Sequence, residues 1–184
     1  MQLDNAIKKR RSVRRFKEKK PNWRDIIECI DAVRYAPMAG NNFSLKIILV
    51  DNIEKIQKLA DASQQPFVGS AHFVVVFCTN PERTTNCFEE RANKYTKQQA
   101  GAAIQNFLLA LEEKGLATCW VGHFVDSLVQ ETLDIPKNIE VEAMFPIGYE
   151  YGTSPKKNRI EMGRVLYFNK FKNTKMKVPK GINI

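Results

Sequence analysis

Some segments of this chain repeat hydrophobic residues at helical spacing, and others are short apolar runs typical of strands. Together these patterns predict interleaved helices and strands. The clearest helical period covers residues 22–35, where Asn22 is a suitable N-cap and Pro37 follows the end of the pattern. The clearest strand covers residues 72–78, which are apolar and rich in valine. A strand of that composition is buried on both faces, so it is predicted at the centre of a sheet.

The remaining periods continue the interleaving of strands and helices, which predicts a mixed sheet with helices on both faces. Further helices are predicted over residues 3–9, 53–62, 98–114 and 127–133, and further strands over residues 45–50, 116–121 and 141–148. Residues 80–97 are polar and basic and predict a loop that leads into the long helix. Gly115 suits the position just after that helix.

The length of 184 residues favours one domain, with enough buried surface for a core without disulfides or metal. No apolar run reaches the roughly 18–20 residues that span a membrane, and the first residues lack a signal peptide's apolar stretch. A cytoplasmic location is therefore predicted. The four cysteines form no C-x-x-C pair and are expected as reduced thiols. The two histidines lack metal-site spacing, so no metal site is predicted.

Basic residues are concentrated towards both ends of the chain, whose formal net charge is +9. Residues 8–20 carry nine Lys or Arg and one acid, Glu18, and residues 170–180 carry five Lys. Such an excess fits a nucleic-acid partner, a solvated surface or a site for an anionic cofactor. Charge alone leaves all three open.

Two basic clusters carry the most specific chemistry. Residues 10–14 read Arg-Arg-Ser-Val-Arg, and residues 156–159 read Lys-Lys-Asn-Arg. Guanidinium, ammonium and hydroxyl groups together suit a phosphate dianion, and each charge-assisted hydrogen bond contributes roughly 1.5–3 kcal/mol. If the fold brings the clusters together, they bind a phosphorylated cofactor.

Two further segments suit a flat polar ring. Residues 36–42 form a small-residue turn in which Asn41 offers an amide to a heterocycle edge, and residues 116–122 bring backbone N–H groups close to a ring. The chain lacks G-x-G-x-x-G, the P-loop pattern and G-x-S-x-G. Rossmann and P-loop phosphate sites and serine-based hydrolysis are therefore disfavoured.

In this order, the four segments resemble the motifs of the nitroreductase family of flavoproteins, which bind FMN. The matching positions are Arg10, Ser12 and Arg14 for R-x-S-x-[RK], residues 36–41 for A-P-S-x-x-N, residues 115–122 for G-L-x-x-x-[WP]-x-G, and residues 148–149 with 157–159 for the closing G-Y/F…K-x-R. The match runs from about residue 5 to residue 165, which is nearly the whole chain.

The resemblance implies an α+β, nitroreductase-like fold, with a mixed, mainly antiparallel central sheet flanked by helices in an intertwined homodimer. Residues 1–165 would form the single FMN-binding domain, and residues 166–184 an extension that wraps the partner subunit. The implied cofactor-binding residues are Arg10, Arg11, Ser12, Arg14, Pro37, Met38, Ala39, Asn41, Cys119, Trp120, Val121, Gly122, Lys157 and Arg159.

The resemblance also implies roles within this set. The phosphate and ribityl end would be held by Arg10, Ser12, Lys157 and Arg159. Arg14 would lie near the N1–C2 edge of the flavin ring. Residues 37–41 would come from the partner subunit, and residues 119–122 would line one ring face, largely through backbone. For Arg11 the alternative is an ordinary surface charge.

The implied activity is ping-pong hydride transfer from NADH or NADPH through flavin N5 to an electron-poor small molecule, such as a nitroaromatic or quinone. No residue is assigned a catalytic role, because the flavin carries the chemistry and Arg14 tunes it. Two alternatives stay open, a flavin-binding carrier or sensor without turnover and a basic nucleic-acid-binding module. Met38 and Phe43 replace the family's usual Ser and Gln, which leaves the substrate pocket and the donor preference open.

Overall fold

The computed structural model of the chain describes residues 2–155 and 158–176. This part of the chain divides into two compact units, with the boundary between Ser154 and Pro155. In the second unit, the rings of Tyr167 and Phe171 meet edge to face with 4.9 Å between centroids. The division into a domain of residues 1–165 and an extension of residues 166–184 stays a prediction.

The first unit alternates helices and strands along the chain. Its α-helices are α1 (Leu3–Lys9), α2 (Trp23–Asp31), α3 (Ile53–Ser63), α4 (Glu82–Phe88), α5 (Ala92–Glu113) and α6 (Asp126–Leu133). Its strands are β1 (Leu45–Val50), β2 (Phe73–Thr79), β3 (Ala117–Thr118) and β4 (Glu140–Gly148). Short 3-10 helices cover Ala32–Tyr35, Ala39–Asn41, Pro66–Val68 and Glu89–Arg91, and another covers Met162–Arg164 in the second unit.

The four strands form one sheet in the order β1-β2-β4-β3, and each neighbouring pair is antiparallel. Every residue of β2 is buried, which confirms the prediction that this apolar run lies inside the sheet. Helices cover both faces, so the α+β prediction is also confirmed.

The sheet separates two apolar cores, because successive strand side chains point to opposite faces. Val75 and Phe77 pack with α2 and α5, whereas Val74 and Val76 pack with α3 and α6. In the first core, the rings of Phe77, Phe107 and Phe145 lie 5.3–5.7 Å apart between centroids. Full burial of one such side chain contributes roughly 1.5–3 kcal/mol, so this core holds α5 firmly on the sheet.

Two boundaries differ from the sequence prediction. Residues 80–97 form helix α4, a 3-10 turn and the first residues of α5, not a loop. The rings of Phe88 and Tyr95 pack edge to face at 5.2 Å between these helices, a contact that a mainly polar surface sequence does not signal. The strand predicted over residues 116–121 is only two residues long, with one further bridge at Val121.

The predicted N-terminus of α2 and the predicted C-terminus of α5 are both confirmed. The side chain of Asn22 accepts a hydrogen bond from the Arg24 N–H at 3.1 Å, as an N-cap does. Gly115 follows α5 with φ +70°, a left-handed conformation that glycine adopts without strain. Within residues 2–155 and 158–176, no helix is long and apolar enough to cross a membrane.

Candidate functional site

The N-terminal basic segment, residues 10–17, runs as extended chain along the end of the sheet. The Val13 N–H donates to the Thr118 carbonyl at 2.9 Å, and the Lys17 N–H donates to the Tyr149 carbonyl at 2.8 Å. Val13 is 3% exposed, so it anchors the segment while its charged neighbours reach the surface. The fold therefore joins the first motif to β3 and to the end of β4.

The strand end after Thr118 alternates between buried and exposed side chains. Cys119 and Val121 are buried, whereas Trp120 and Gly122 are exposed. Val121 and Met144 exchange backbone hydrogen bonds of 2.9 and 3.0 Å, which fix this short segment against β4. The side chains of Cys119 and Val121 belong to the core, so these two residues offer a ligand only their backbone groups.

An open groove begins where the basic segment passes the 3-10 helix Pro66–Val68. It has a volume of about 760 Å³, and we call it the Arg14 groove; it is lined by Arg14, Arg15, Phe16, Lys17, Glu18, Pro66, Phe67, Ser70 and Tyr151. The Arg14 guanidinium lies 5.8 Å from the Phe67 ring centroid, and that of Arg15 lies 4.9 Å from the Tyr151 centroid. Aromatic faces beneath guanidinium groups suit a planar group that carries negative charge.

Phe67, Ser70 and Tyr151 were not among the residues predicted from the sequence. Phe67 and Ser70 follow α3 in a short irregular stretch, and Tyr151 follows the Gly148-Tyr149 motif by two residues. Of these three residues, Tyr151 carries the one usable signal in the sequence, because an aromatic residue two positions after a motif is a candidate for ring contact.

A smaller cavity of about 90 Å³ lies between the basic segment and the end of α5. Its polar lining includes Arg10, Arg11, Glu112, Thr118 and Glu150. The Arg11 Nε donates to Glu150 Oε1 at 3.1 Å, and a second guanidinium nitrogen contacts Glu150 Oε2. Arg11 is therefore a bidentate ion-pair partner of Glu150 and not an isolated surface charge.

Burial and charge act in opposite directions on the acids of this cavity. Burial alone would raise the pKa of Glu150, but hydrogen bonds from Arg11 and Ser154 outweigh it and hold that pKa below its ordinary value. At Glu112, burial prevails over the attraction of Arg11 and Lys9, so the pKa of this carboxyl is raised.

The small-residue turn packs on a different set of neighbours. Gln99, which is buried on α5, accepts from the Ser44 N–H at 2.8 Å and donates to the Asn42 carbonyl at 3.1 Å. Gly40 has φ +56°, and a Cβ placed there would stand 2.9 Å from the Phe88 ring. These contacts hold residues 37–41 against α4 and α5 of their own chain, with Pro37 and Asn41 exposed and Met38 and Ala39 half-buried.

The closing cluster is described only in part. Lys157 lies outside the described residues, and Arg159 is an exposed residue of the second unit. The meeting of these two residues with Arg10 and Ser12 therefore stays a prediction.

Comparison with known proteins decides the family. The model of the Nitroreductase family matches residues 7–67 and 60–149 of this chain. The chain belongs to the Nitroreductase family. This membership confirms the resemblance that the four sequence motifs indicated, and it accounts for the antiparallel sheet between layers of helices.

Relatives of the family match over most of the chain. An iodotyrosine deiodinase of Thermotoga neapolitana is 26% identical over 92% of this chain and 98% of its own length. An FMN reductase (NADPH) of Bacillus subtilis is 25% identical over 90% of this chain and 73% of its own length.

Solved structures of the family share the fold. A nitroreductase family protein from Clostridium novyi superposes with a TM-score of 0.76 and 26% identity, covering 94% of this chain and 96% of its own. The NADPH:FMN oxidoreductase from Vibrio harveyi, in complex with NAD+, gives a TM-score of 0.83 at 24% identity, covering 93% of this chain and 78% of its own. The second likeness concerns the fold alone.

Proposed function

We propose that this chain is an FMN-dependent oxidoreductase that takes hydride from NADH or NADPH and reduces an electron-poor small molecule. The observation that carries this proposal is the Val13–Thr118 hydrogen bond of 2.9 Å. It joins the segment that holds Ser12 and Arg14 to the strand end that precedes Cys119–Gly122. Two motifs more than one hundred positions apart in sequence are therefore joined, and Arg14 of the first motif also lines the groove that suits a ring.

The donor set of the first unit fits FMN. Arg10 and the half-buried Ser12 supply the guanidinium and hydroxyl donors that a phosphate dianion takes. The Arg14 groove, at about 760 Å³, has room and aromatic walls for a planar ring system. Lys157 and Arg159 are proposed as the remaining phosphate ligands on the strength of their motif.

Bound FMN would supply the redox chemistry, by accepting hydride at N5 and passing electrons to the acceptor. The protein orients the flavin and tunes its reduction potential. Arg14 is proposed to lie at the N1–C2 edge, where its charge favours the reduced, more negative ring. Each 1.4 kcal/mol of such preference raises a two-electron potential by about 30 mV. Backbone groups of residues 119–122 are proposed to line one ring face, since Cys119 and Val121 have buried side chains.

A homodimer is part of the proposal, because the first unit exposes apolar side chains that a second copy would cover. Leu3, Ile7 and Tyr35 are 66%, 50% and 76% exposed. Leu3 and Tyr35 border a cleft of about 380 Å³ against α5, whose other walls include Leu109 and Ala110. Residues 37–41 are proposed to reach the partner's cofactor across this dimer, and residues 166–184 to extend over it.

The acceptor class is the least constrained part of the proposal. A nitroaromatic or a quinone suits an open groove with aromatic walls, and the deiodinase relative extends the range to halogenated aromatics. A carrier or sensor that binds flavin without turnover is the second candidate, since an exposed cationic groove suits flavin binding as well as catalysis.

Purification and a spectrum test the proposal. The purified protein should be yellow and release FMN on denaturation, and anaerobic NADH or NADPH should bleach it. Full bleaching that a quinone reverses supports an enzyme, whereas a yellow protein that neither donor bleaches is a carrier. A Lys157→Ala/Arg159→Ala variant should lose the cofactor. A colourless wild-type protein that takes up no added FMN would refute the whole assignment.

A further inference from the structure

One ion pair links the two ends of the first unit. Arg11 and Glu150 are 139 positions apart, and the Nε–Oε1 distance between them is 3.1 Å. Their side chains are 28% and 17% exposed, so water shields the pair only in part. A bidentate guanidinium–carboxylate pair of this kind fixes orientation as well as distance.

The same carboxylate also holds the chain that leaves the first unit. Glu150 Oε1 accepts a hydrogen bond from the Ser154 N–H at 2.7 Å. One carboxylate therefore connects the segment that carries Arg10 and Ser12 to Ser154, the last residue of the first unit.

Without Arg11, the negative charge of Glu150 would weaken the binding of a phosphate nearby. A carboxylate close to phosphate donors repels a phosphate dianion, and partial burial strengthens the repulsion. Arg11 cancels that charge while it occupies both carboxylate oxygens. Arg10, Arg11 and Val13 line one small cavity with Glu150, whereas Arg14 lines the Arg14 groove.

We infer that Glu150 is a positioning residue for the cofactor phosphate, and that Arg11 acts on the phosphate through Glu150 and not as a ligand of its own. This inference rests on the proposed function. It assigns to Arg11 a role different from those of Arg10 and Ser12, although all three lie in one motif.

The test measures the affinity of the flavin-free protein for FMN and for riboflavin, which lacks the phosphate. Three variants are compared with the wild type: Arg11→Ala, Glu150→Ala and the double variant Arg11→Ala/Glu150→Gln. The glutamine keeps an acceptor for the Ser154 N–H and removes the charge. Lys55→Ala is the control, because it removes one positive charge from an exposed ion pair with Asp134. Thermal unfolding checks each fold, and Arg11→Gln replaces Arg11→Ala if the latter does not fold.

Arg11→Ala should raise the FMN Kd about tenfold or more, as expected for the loss of a charge-assisted interaction, and should change the riboflavin Kd by less than about threefold. Glu150→Ala should also weaken FMN more than riboflavin. The double variant should recover most of the FMN affinity that Arg11→Ala loses, because the uncompensated carboxylate is gone. Lys55→Ala should leave both constants unchanged.

A double variant as weak as Arg11→Ala would overturn the inference, because Arg11 would then be a direct phosphate ligand. Equal losses for FMN and riboflavin would overturn it too, since the pair would then serve only the fold. If Arg11→Ala binds FMN as tightly as the wild type, the inference is overturned as well. If the wild type itself binds no FMN, the proposed function fails and the inference fails with it.

Discussion

The ring of Phe16 lies so close to Gly148 that a Cβ on Gly148 would stand 2.7 Å from the Phe16 Cδ1. Phe16 pairs with Glu150 in an isolated antiparallel bridge, so its ring crosses the end of β4 just where the strand carries no side chain. The glycine of the Gly148-Tyr149 motif is thus explained by packing, and the contact holds the N-terminal basic segment on the sheet.

Gly148→Ala should destabilise the protein by about 1–3 kcal/mol, because the methyl group forces Phe16 or the basic segment to move. Urea unfolding measures the change. The double variant Phe16→Ala/Gly148→Ala should show less than the sum of the two single costs, since the clash is gone. Gly101→Ala is the matched control, because a Cβ at Gly101 has no atom within 4 Å and alanine favours the helix by about 0.5–1 kcal/mol.

Gln99→Ala should cost about 1–3 kcal/mol, because it leaves the buried Ser44 N–H without its acceptor and removes the donor to the Asn42 carbonyl. Hydrogen exchange at Ser44 should accelerate together with the loss in unfolding free energy. Gln57→Ala is the comparison, since Gln57 donates to Asp61 on an exposed surface. Equal costs for the two variants would show that Gln99 does not hold the turn.

Glu150 should contribute stability that depends on pH. Its pKa is held below the ordinary 4.5, so folding favours the ionised form. That contribution is present above about pH 4.5 and is lost as the pH falls through the folded-state pKa. Glu150→Gln should therefore be less stable than the wild type at pH 7, and the difference should shrink steadily in acid. Asp4→Asn, which alters an exposed ion pair with Lys8, should stay within about 0.5 kcal/mol of the wild type.

Cys87 should be the first of the four cysteines to react with iodoacetamide. It is exposed, whereas Cys29, Cys78 and Cys119 are buried. Burial also raises the pKa of Cys29 to about 12 and that of Cys78 to about 11, so neither is a thiolate at pH 8. Mass spectrometry of the native protein should show one label, and Cys87→Ser should show none until the chain is unfolded.

Arg14→Ala should lower the reduction potential of bound FMN by about 30 mV or more, because a cation near the N1–C2 edge favours the reduced ring. Redox titration against a reference dye measures the shift. Arg15→Ala is the matched control, since Arg15 lines the same groove but stacks on Tyr151. A shift as large in Arg15→Ala would mean that the groove's general charge, and not Arg14, tunes the flavin.

The sequence predicts those parts of the fold that depend on local patterns. The apolar run of β2, the Asn22 cap and the Gly115 helix end are local properties, and each is confirmed. The start of α5 at Ala92 is not predicted, because polar residues dominate its first turns and tertiary contacts such as Phe88–Tyr95 and Lys97–Glu142 order them.

Contacts between distant residues lie beyond such patterns. Nothing near Arg11 in sequence indicates a partner at Glu150, and nothing near Arg14 indicates Phe67 as a wall of its groove. The motifs identified which segments matter, because each carries phosphate or ring chemistry. They did not identify which side chains in a segment face a ligand and which face the protein, since burial decides that.

The hydrogen bond between Val13 and Thr118 has a consequence for biosynthesis. The N-terminal basic segment is synthesised before its backbone partners Thr118, Tyr149 and Tyr151, which follow it by more than one hundred residues. Until those residues emerge, the segment is a tethered polycation without a docking surface. The proposed flavin site is therefore completed late in synthesis, and we expect a truncated product that ends before Tyr149 to retain no flavin.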